Sequence, residues 1–411
     1  MNARIHAARQ CAAGTLLLAG ALAGPAALHA EAADGVQVRG NVGVEALVLP
    51  QFEGEAGGAR FSNPLQERRN LAFKGVLEAS VKRDAWSAAG RAFVREDVRD
   101  NDRDARRLDE AWLQYAAPKW DVRAGNQLVT WGSVESVSPL DVVNPRDYEE
   151  DIVEPAKIGL AMVRARRRFE GSDLSLYWLP QYKPSRYAGP HSYYSISGGA
   201  PERYPDKRWD ASQWAMRSFK SGDGLDVGVS FLRAWERNAS FAPDFTTGQL
   251  VGTTYKSNRL GTDVTWVVGD LVLKLEAVWR NSQQPGNRNA LLYALGSEYT
   301  LSGVWGHSDL TFFLELLGTS RNVRAIELMQ NDLFAAARWT FNDRYKQRLQ
   351  IGTFQDLDRS HSWVWRIEHQ LSPVENVDLG ARYTITRNYY PGPAHVERNT
   401  GVFQFFVRRN F

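Results

Sequence analysis

Apolar and polar residues alternate along the chain from about Gly35 to its last residue, Phe411. In the closing segment, one face carries the apolar residues Phe403, Phe405, Val407 and Phe411. A period of two is typical of β-strands, because successive side chains of a strand point to opposite faces. Since this pattern fills the chain, the sheet must hide its edges, and closure into a barrel does so.

The alternation predicts eighteen strands separated by connections that are short and long in turn. The strands fall near 35–48, 71–82, 86–96, 108–117, 120–130, 157–168, 172–181, 210–219, 224–235, 251–267, 271–281, 290–301, 306–318, 331–341, 346–356, 362–370, 376–387 and 401–411. The connections at 83–85 and 268–270 are compact turns, whereas those at 131–156 and 182–209 are long. An even strand number with short periplasmic turns and long external loops is typical of bacterial outer-membrane barrels. We therefore predict an all-β fold, a transmembrane antiparallel β-barrel of about 18 strands.

Residues 1–30 have the pattern of a secretory signal peptide. Arg4 and Arg9 precede an uncharged apolar run over 12–28, and small residues around Ala30 offer a cleavage site. The alternative, a transmembrane anchor, is disfavoured because the run is short and is broken by Pro25. We expect residues 1–30 to be cleaved during export and residues 31–411 to form a single barrel domain in the cell outer membrane.

Composition narrows the functional classes. Without the signal peptide the chain has 48 basic and 47 acidic residues, a net charge of +1, which offers no basic field for nucleic acid. Because Cys11 is the only cysteine, the mature chain has none, and we expect no disulfide and no thiolate metal site. The 14 Trp, 15 Tyr and 18 Phe residues suit aromatic girdles at the two bilayer interfaces.

The two faces of the predicted strands differ in charge. On the strand near 271–281, the outward face carries Leu271, Leu273, Leu275, Ala277 and Trp279. A Lys or Arg at mid-depth on such a face would cost about 2–4 kcal/mol in lipid. The inward face is charged, and on the strands that neighbour the 131–156 loop it includes Arg91, Arg95, Arg123, Arg164 and Arg166. In a barrel of about 18 strands these positions line a water-filled lumen.

The connection 131–156 differs from the other loops because it is long, acidic and partly apolar. Its candidate functional residues are Trp131, Gly132, Asp141, Asn144, Asp147, Glu149, Glu150 and Asp151. Folding into the lumen would bring its carboxylates to the wall arginines and create a constriction with a transverse field, which orients charged solutes. The alternative is a structural brace whose carboxylates simply neutralise those arginines, and the two roles are compatible.

Part of this segment resembles a known block. Gly125-Asn126-Gln127, Trp131-Gly132, Asp141 and Asn144-Pro145-Arg146-Asp147 are similar to a block of porin-like outer-membrane barrels, including alginate-export-like and exporter-associated families. The resemblance covers only this short part of the chain, and Asn126 stands where these families usually carry an arginine. It implies an outer-membrane barrel with a functional third external loop, but it implies no substrate.

The last strand carries the pattern of an insertion signal. Phe403, Phe405, Val407 and Phe411 resemble the alternating aromatic pattern with which outer-membrane chains end, so we expect the barrel-insertion machinery and outer-membrane lipids as partners. Arg409 takes a position that is usually apolar. Near the periplasmic interface its long side chain can reach the headgroups, so we expect the signal to be retained.

The leading interpretation is an outer-membrane porin-like channel that passes small hydrophilic solutes, anions included, by passive diffusion. The alternative is a non-channel barrel of an export or envelope-assembly system, with periplasmic or inner-membrane transporter subunits as partners. We expect no enzyme, because the chain contains neither a Gly-x-Ser-x-Gly elbow nor a His-Glu-x-x-His motif. We also expect no metal site, no cofactor and no nucleic-acid partner.

Overall fold

A computed structural model describes most of the chain. The described residues are 35–49, 69–151, 153–189, 192, 202–205, 209–246, 249–286, 288–320, 330–359, 361–387 and 400–411. The predicted signal peptide, 1–30, lies outside the described residues. Within them, no helix is long and apolar enough to cross a membrane.

The main sheet contains eighteen strands. In chain order they are β1 (Val36–Val48), β2 (Arg69–Arg83), β3 (Trp86–Asp97), β4 (Ala105–Ala116), β5 (Trp120–Gln127), β6 (Leu160–Phe169), β7 (Ser172–Trp178), β8 (Trp214–Gly222), β9 (Leu225–Trp235), β10 (Lys256–Val268), β11 (Leu271–Ser282), β12 (Asn289–Val304), β13 (Ser308–Thr319), β14 (Asn331–Thr340), β15 (Arg348–Asp356), β16 (Trp363–Val374), β17 (Val377–Arg387) and β18 (Thr400–Asn410). Each strand pairs antiparallel with its neighbours in the chain, and the predicted number of about 18 strands is confirmed.

The sheet closes where its first and last strands meet. Strand β1 pairs with β2 on one side and with β18 on the other, where Val48 lies opposite Phe403. The Gly40 and Phe411 backbones exchange two hydrogen bonds of 3.0 Å. A Cβ on Gly40 would lie 2.5 Å from the Val76 carbonyl oxygen, so this close approach requires glycine. The predicted closed antiparallel barrel is confirmed.

Short turns join the strands at the periplasmic end. The turns place Asp84, Gly171, Asp223, Gly269 and Asn376 at positive φ, which Gly, Asn and Asp tolerate best. The long connections lie at the external end, and those at 128–159 and 179–213 follow the short strands β5 and β7. Two small sheets form within the long connections, one pairing Arg146–Asp147 with Ala156–Lys157, and the other built from Glu202–Arg203, Ser240–Asp244 and Gln249–Thr253.

The outward face of the barrel is apolar and the inward face is charged, as the alternation predicts. On β13, Leu314 points outward and is 52% exposed, whereas the next residue, Glu315, points inward and is 2% exposed. Near the periplasmic turns the rings of Trp86, Tyr115 and Trp120 pack in a row, with centroids 5.0 and 5.4 Å apart. Such aromatic rows mark the bilayer interface of outer-membrane barrels.

Candidate functional site

The 131–156 loop is fastened at its base by Asn144. The Asn144 side-chain oxygen accepts a hydrogen bond from the Val129 amide at 2.8 Å. Its amide nitrogen donates to the carbonyl oxygens of Gln127, at 2.9 Å, and Ile158, at 3.0 Å. One buried side chain therefore joins the end of β5, the loop and the approach to β6, which fixes where the loop leaves the wall and returns to it.

Asp141 forms two ion pairs that hold the loop next to Asn144. Its carboxylate lies 2.6 Å from the Arg146 guanidinium and 2.7 Å from the Lys157 ammonium. Burial and the nearby Arg146 lower the pKa of Lys157, and Asp141 opposes both effects. The residues of the resemblance block thus hold the folded loop together.

The first half of the loop, 131–138, is held through its backbone by carboxylates of the barrel wall. Glu276 Oε1, on β11, accepts hydrogen bonds from the amides of Ser133, at 2.6 Å, and Val134, at 3.0 Å. Glu315, on β13, accepts from the next two amides, of residues 135 and 136, at 2.7 and 3.0 Å. Hydrogen bonds to an ionised acceptor are stronger than neutral ones, so each wall carboxylate anchors two consecutive amides.

Gly132 makes this docking possible. Its φ of +93° is accessible to few other residues. A Cβ at this position would lie 2.6 Å from Glu276 Oε1 and 2.3 Å from the Ser138 hydroxyl oxygen. A side chain here would therefore push the loop off the wall carboxylate.

The second half of the loop, 147–154, is held the opposite way, by its own carboxylates. Asp151 crosses the lumen and lies 2.9 Å from Arg366 on β16 and 2.8 Å from Arg382 on β17. Burial alone would raise the pKa of Asp151, but the two guanidinium groups outweigh it and lower the pKa to about 2. Glu154 lies 3.4 Å from the same two arginines.

Asp147 and Glu150 bind the opposite part of the wall. Asp147 is fully buried and pairs with Arg107 on β4 and, at 3.6 Å, with Arg95 on β3. Glu150 lies 3.1 Å from the Lys74 ammonium on β2. The second half of the loop therefore spans the lumen from β2–β4 to β16–β17.

Glu149 differs from the loop carboxylates that pair with cations of the wall, because it is buried and its pKa is raised. It is 1% exposed, and its Oε1 accepts a hydrogen bond from the Gly189 amide at 2.6 Å. Burial raises the pKa of Glu149 to about 7, and the Gly189 hydrogen bond and Arg186 oppose that shift. This carboxyl group is therefore easier to protonate than an exposed glutamate.

Apolar side chains of the loop pack on two apolar areas of the inner wall. Trp131, Leu140 and Val143 join a cluster with wall residues that include Leu160 and Leu292. A second cluster is formed by three wall phenylalanines and three loop valines, namely Phe313, Phe334, Phe354, Val134, Val137 and Val153. Burying apolar area yields about 25 cal/mol per Å², so these contacts fix the loop in addition to its ion pairs.

Two cavities lie on either side of the loop and share the segment 130–132. The external cavity has a volume of about 370 Å³ and extends along the loop to residues 235–238. The periplasmic cavity has a volume of about 440 Å³ and reaches Arg123, Arg164 and Arg217 on the wall. The Trp131 ring packs against Tyr177, with centroids 5.8 Å apart, and the Arg217 guanidinium lies 5.7 Å from the Trp131 centroid. Thr130, Trp131 and Gly132 therefore lie between the two cavities.

Of the five wall arginines named from the sequence, Arg95 contacts loop carboxylates, whereas the other four have other partners. Arg91 lies 3.1 Å from Glu78, and Arg123 donates to Gln114 and stacks on Trp112. Arg164 and Arg166 bind Asp121 at 2.8 and 2.9 Å. These four lie nearer the periplasmic ends of their strands than Arg95, below the level at which the loop crosses the lumen.

Besides Arg95, Lys74 and Arg338, the wall residues that hold the loop include Glu276, Glu315, Arg107, Arg366 and Arg382. Four of them alternate correctly for the inward face, so their orientation is readable from the sequence. Their pairing with a loop that lies up to 231 residues away in the chain is not. Within the described residues, no cluster of three or more His, Cys, Asp or Glu residues could hold a metal ion.

The residues of the predicted insertion signal lie on the outer surface. Phe403, Phe405 and Val407 are 37%, 47% and 52% exposed, on the lipid-facing side of β18. Phe411 is exposed as well, beside the seam between β1 and β18. Recognition of this strand by the insertion machinery stays a prediction.

Comparison with known proteins supports the fold. No protein-family model and no curated protein sequence matches the chain. Among solved structures, OccK2 (OpdF) of Pseudomonas aeruginosa has a TM-score of 0.54 at 8% identity, covering 92% of this chain and 97% of that one. OccK5 (OpdH) of the same species has a TM-score of 0.52 at 9% identity, covering 92% and 98%. OpdQ, also from Pseudomonas aeruginosa, has a TM-score of 0.51 at 13% identity, covering 92% and 97%.

These neighbours are outer-membrane β-barrel porins, and this chain shares their fold. At such low identity the likeness shows the fold alone. The porin-like part of the predicted resemblance is thereby confirmed for the fold. The likeness to alginate-export-like and exporter-associated families stays a prediction.

Proposed function

We propose that the protein is an outer-membrane channel that passes small hydrophilic anions by passive diffusion, with the 131–156 loop as its constriction. The observation that carries the proposal is that the external and periplasmic cavities meet at the same three residues, 130–132. A loop that is fixed to the wall along its length narrows the lumen at one level and leaves space above and below it. This arrangement supports selective diffusion.

The charge around the periplasmic cavity supports a preference for anions. Arg164, Arg166 and Arg168 share one carboxylate, that of Asp121, at 2.7–2.9 Å. Arg123, on the neighbouring strand β5, forms no ion pair with the described residues and lies over the Trp112 ring, 3.8 Å from its centroid. Arg123, Arg164 and Arg166 with the one carboxylate of Asp121 leave a local positive charge that concentrates anions in the periplasmic cavity.

The acidic residues of the same cavity do not cancel this charge. Asp263 lies 2.8 Å from Arg217 and is paired. Asp173 and Asp226 are the second residues of β7 and β9, so they lie at the periplasmic rim. The excess positive charge of Arg123 and Arg164 therefore lies between this rim and residues 130–132.

Ion selectivity in planar bilayers tests this proposal. Replacing Arg123, Arg164 and Arg166 together by alanine should reduce the ratio of anion to cation permeability by about tenfold, read from the reversal potential in a salt gradient. Arg167→Ala is the matched control, because Arg167 lies on the same strand as Arg164 and Arg166 but points outward. Folded wild-type protein that never conducts would overturn the channel, and an unchanged ratio in the triple variant would overturn the anion preference.

A non-channel barrel in an export or envelope-assembly system is the second candidate. It is favoured by the pairing of Asp147, Glu150 and Asp151 with wall cations and by the two apolar clusters, which together fill much of the lumen. Cross-linking in intact cells followed by purification tests it. Silent bilayers together with recovery of a periplasmic or inner-membrane transporter subunit would support this candidate over the channel.

A further inference from the structure

At the external ends of strands β9–β12, a row of polar residues lies on the outward face of the barrel wall. Arg233 on β9 lies opposite Asn258 on β10, which in turn lies opposite Asn281 on β11. Asn281 lies opposite Asn289, the first residue of β12, and donates a hydrogen bond to its side-chain oxygen at 2.6 Å. Residues that lie directly opposite on paired strands share one face of the sheet. We call this set, Arg233, Asn258, Asn281 and Asn289, the outer polar row.

An apolar row of the same face lies two residues nearer the periplasm. Phe231, Leu260, Trp279 and Leu291 occupy the same four strands and lie opposite one another in the same way. Leu260, Trp279 and Leu291 are exposed, whereas the intervening inward residue Arg280 is fully buried. Because alternate residues of a strand share a face, the outer polar row also points away from the lumen.

Aromatic residues place this region at the external boundary of the bilayer. Trp214, the first residue of β8, lies opposite Arg233 and also opposite Trp178, the last residue of β7. The Trp214 ring packs on Phe231, with centroids 4.8 Å apart. Tryptophan is typical of the interface between hydrocarbon and headgroups. The outer polar row therefore lies at the level of the headgroups of the outer leaflet, directly above the acyl chains.

Arg233 has no acidic partner on this surface. Its neighbours in register, Trp214 and Asn258, are uncharged, and among the described residues no carboxylate forms an ion pair with it. By contrast, Arg106, which also faces outward at the external end of β4, lies 2.7 Å from Glu96. The exposed Arg233 guanidinium is therefore available to an anion outside the protein, and guanidinium groups bind phosphate through paired N–H donors.

The asparagines of the row and the apolar row below it select the rest of the ligand. Each asparagine side chain contains N–H donors and a carbonyl acceptor, which match the hydroxyl and amide groups of an acylated amino sugar. The apolar row offers a surface for acyl chains. Phosphate, amino sugar and several acyl chains occur together in glycolipids of the lipid A type, which are phosphorylated glucosamine disaccharides. A glycerophospholipid has a phosphate and two chains but few groups for three asparagines.

We propose that the outer polar row is a binding site for a phosphorylated glucosamine glycolipid of the lipid A type. The guanidinium of Arg233 pairs with a phosphate, the three asparagines bind hydroxyl and amide groups of the sugars, and the apolar row contacts the acyl chains. The site rests on the outer-membrane location that the proposed channel requires. It does not rest on conduction, because every residue of the row points away from the lumen.

Native mass spectrometry of the purified, detergent-folded protein tests the site, with diphosphoryl lipid A as the probe and phosphatidylglycerol as the control lipid. Lipid A should bind the wild type at least about tenfold more tightly than phosphatidylglycerol, which has a phosphate but no amino sugar. Arg233→Gln should weaken lipid A binding by about tenfold, because it removes the charge that pairs with phosphate. Asn281→Leu should weaken it by about threefold, because it keeps the size of the side chain but removes the amide.

Arg167→Gln is the matched control for Arg233→Gln. Arg167 also faces outward, but it lies near the periplasmic end of β6, and its neighbours in register are Trp120 and Leu174 rather than asparagines. Lipid A binding by this variant should equal that of the wild type. All three variants should keep the melting temperature of the wild type in lipid-free detergent, since the changed side chains lie on the outer surface, and this measurement separates lost binding from misfolding.

Equal lipid A binding by the wild type, Arg233→Gln and Asn281→Leu would overturn the site, as would equal binding of phosphatidylglycerol by the wild type. The same loss in Arg167→Gln as in Arg233→Gln would also overturn it, because attraction to any outward arginine would then explain the binding. A wild type that conducts but does not bind lipid A would overturn the site and keep the channel. Tight binding that depends on Arg233, in a protein that never conducts, would do the reverse.

Discussion

The two halves of the 131–156 loop are fixed to the barrel by opposite arrangements of charge. In the first half, 131–138, the wall supplies two carboxylates, Glu276 and Glu315, and the loop supplies four backbone amides and the hydroxyls of residues 136 and 138. One loop carboxylate in this half, Glu135, also pairs with the wall, at Arg338. In the second half, 147–154, the loop supplies the carboxylates and the wall supplies the cations. The first arrangement depends on the path of the loop backbone, and the second depends on the loop side chains.

The two halves should therefore respond differently to substitutions. Backbone amides are present in any loop sequence, so the first half keeps its four amide anchors through most side-chain substitutions, provided that position 132 remains glycine. The second half loses an anchor whenever a single carboxylate is lost. We therefore expect substitutions in the second half to open the lumen more readily than conservative substitutions of the wall carboxylates.

Asp147→Asn tests the second half and should have the largest effect. Arg95 is fully buried, and its remaining carboxylate would be that of Glu150 at 4.0 Å. Removing one partner from a buried ion pair costs about 3–5 kcal/mol, since the other charge stays buried without compensation. Single-channel recordings should show larger and noisier conductance, and limited proteolysis should cut the loop.

Asp244→Asn is the control for Asp147→Asn. Asp244 pairs with Arg203 in the external connections, and the Arg203 side chain is 63% exposed. Water screens such a pair, so conductance and proteolysis should match the wild type. If Asp147→Asn also behaved like the wild type, the ion pairs would not be what fixes the second half of the loop.

Glu276→Gln tests the first half and should have a smaller effect. Glutamine keeps an oxygen for the Ser133 and Val134 amides, but the hydrogen bonds lose their charge. We expect the first half to loosen by about 1–2 kcal/mol. The loss is smaller than at Asp147 because removing the charge of Glu276 also removes the cost of burying it.

The measurement for Glu276→Gln is again single-channel conductance. The Glu298→Gln variant is a suitable control, because Glu298 pairs with Lys274 across the neighbouring strands β11 and β12 and, among the described residues, forms no ion pair with the loop. A Glu276→Gln effect as large as that of Asp147→Asn would contradict the proposed difference between the two halves.

The fold could be predicted from the sequence because it depends on a local pattern. The site could be predicted only in part, because it depends on contacts between distant residues. Alternation is a local property, so residues such as Leu314 and Glu315 already show the lipid and lumen faces. The charge of Asp147 and Asp151 likewise suggests basic partners in the lumen. The docking of Ser133 and Val134 on Glu276 carries no such signal, since backbone amides are the same everywhere in a sequence.

The level at which the loop crosses the lumen is also a three-dimensional property, which is why Arg95 contacts the loop and Arg164 does not.

A pH titration of the second half should have the smallest effect. Glu149 has a pKa raised to about 7 from 4.5 by burial, so the folded loop binds a proton that the unfolded chain releases. The stabilisation is fully present below about pH 4.5 and is lost as the pH rises through about 7. Between pH 6 and pH 7 the loss is about 1 kcal/mol, and the loop should become more sensitive to protease over this interval.

Glu149→Gln, which imitates the protonated group, should remove this pH dependence while retaining the acceptor for the Gly189 amide. If Glu149→Gln kept the pH profile of the wild type, another group would be responsible for the pH dependence. Glu149 would then not differ from the other carboxylates of the second half.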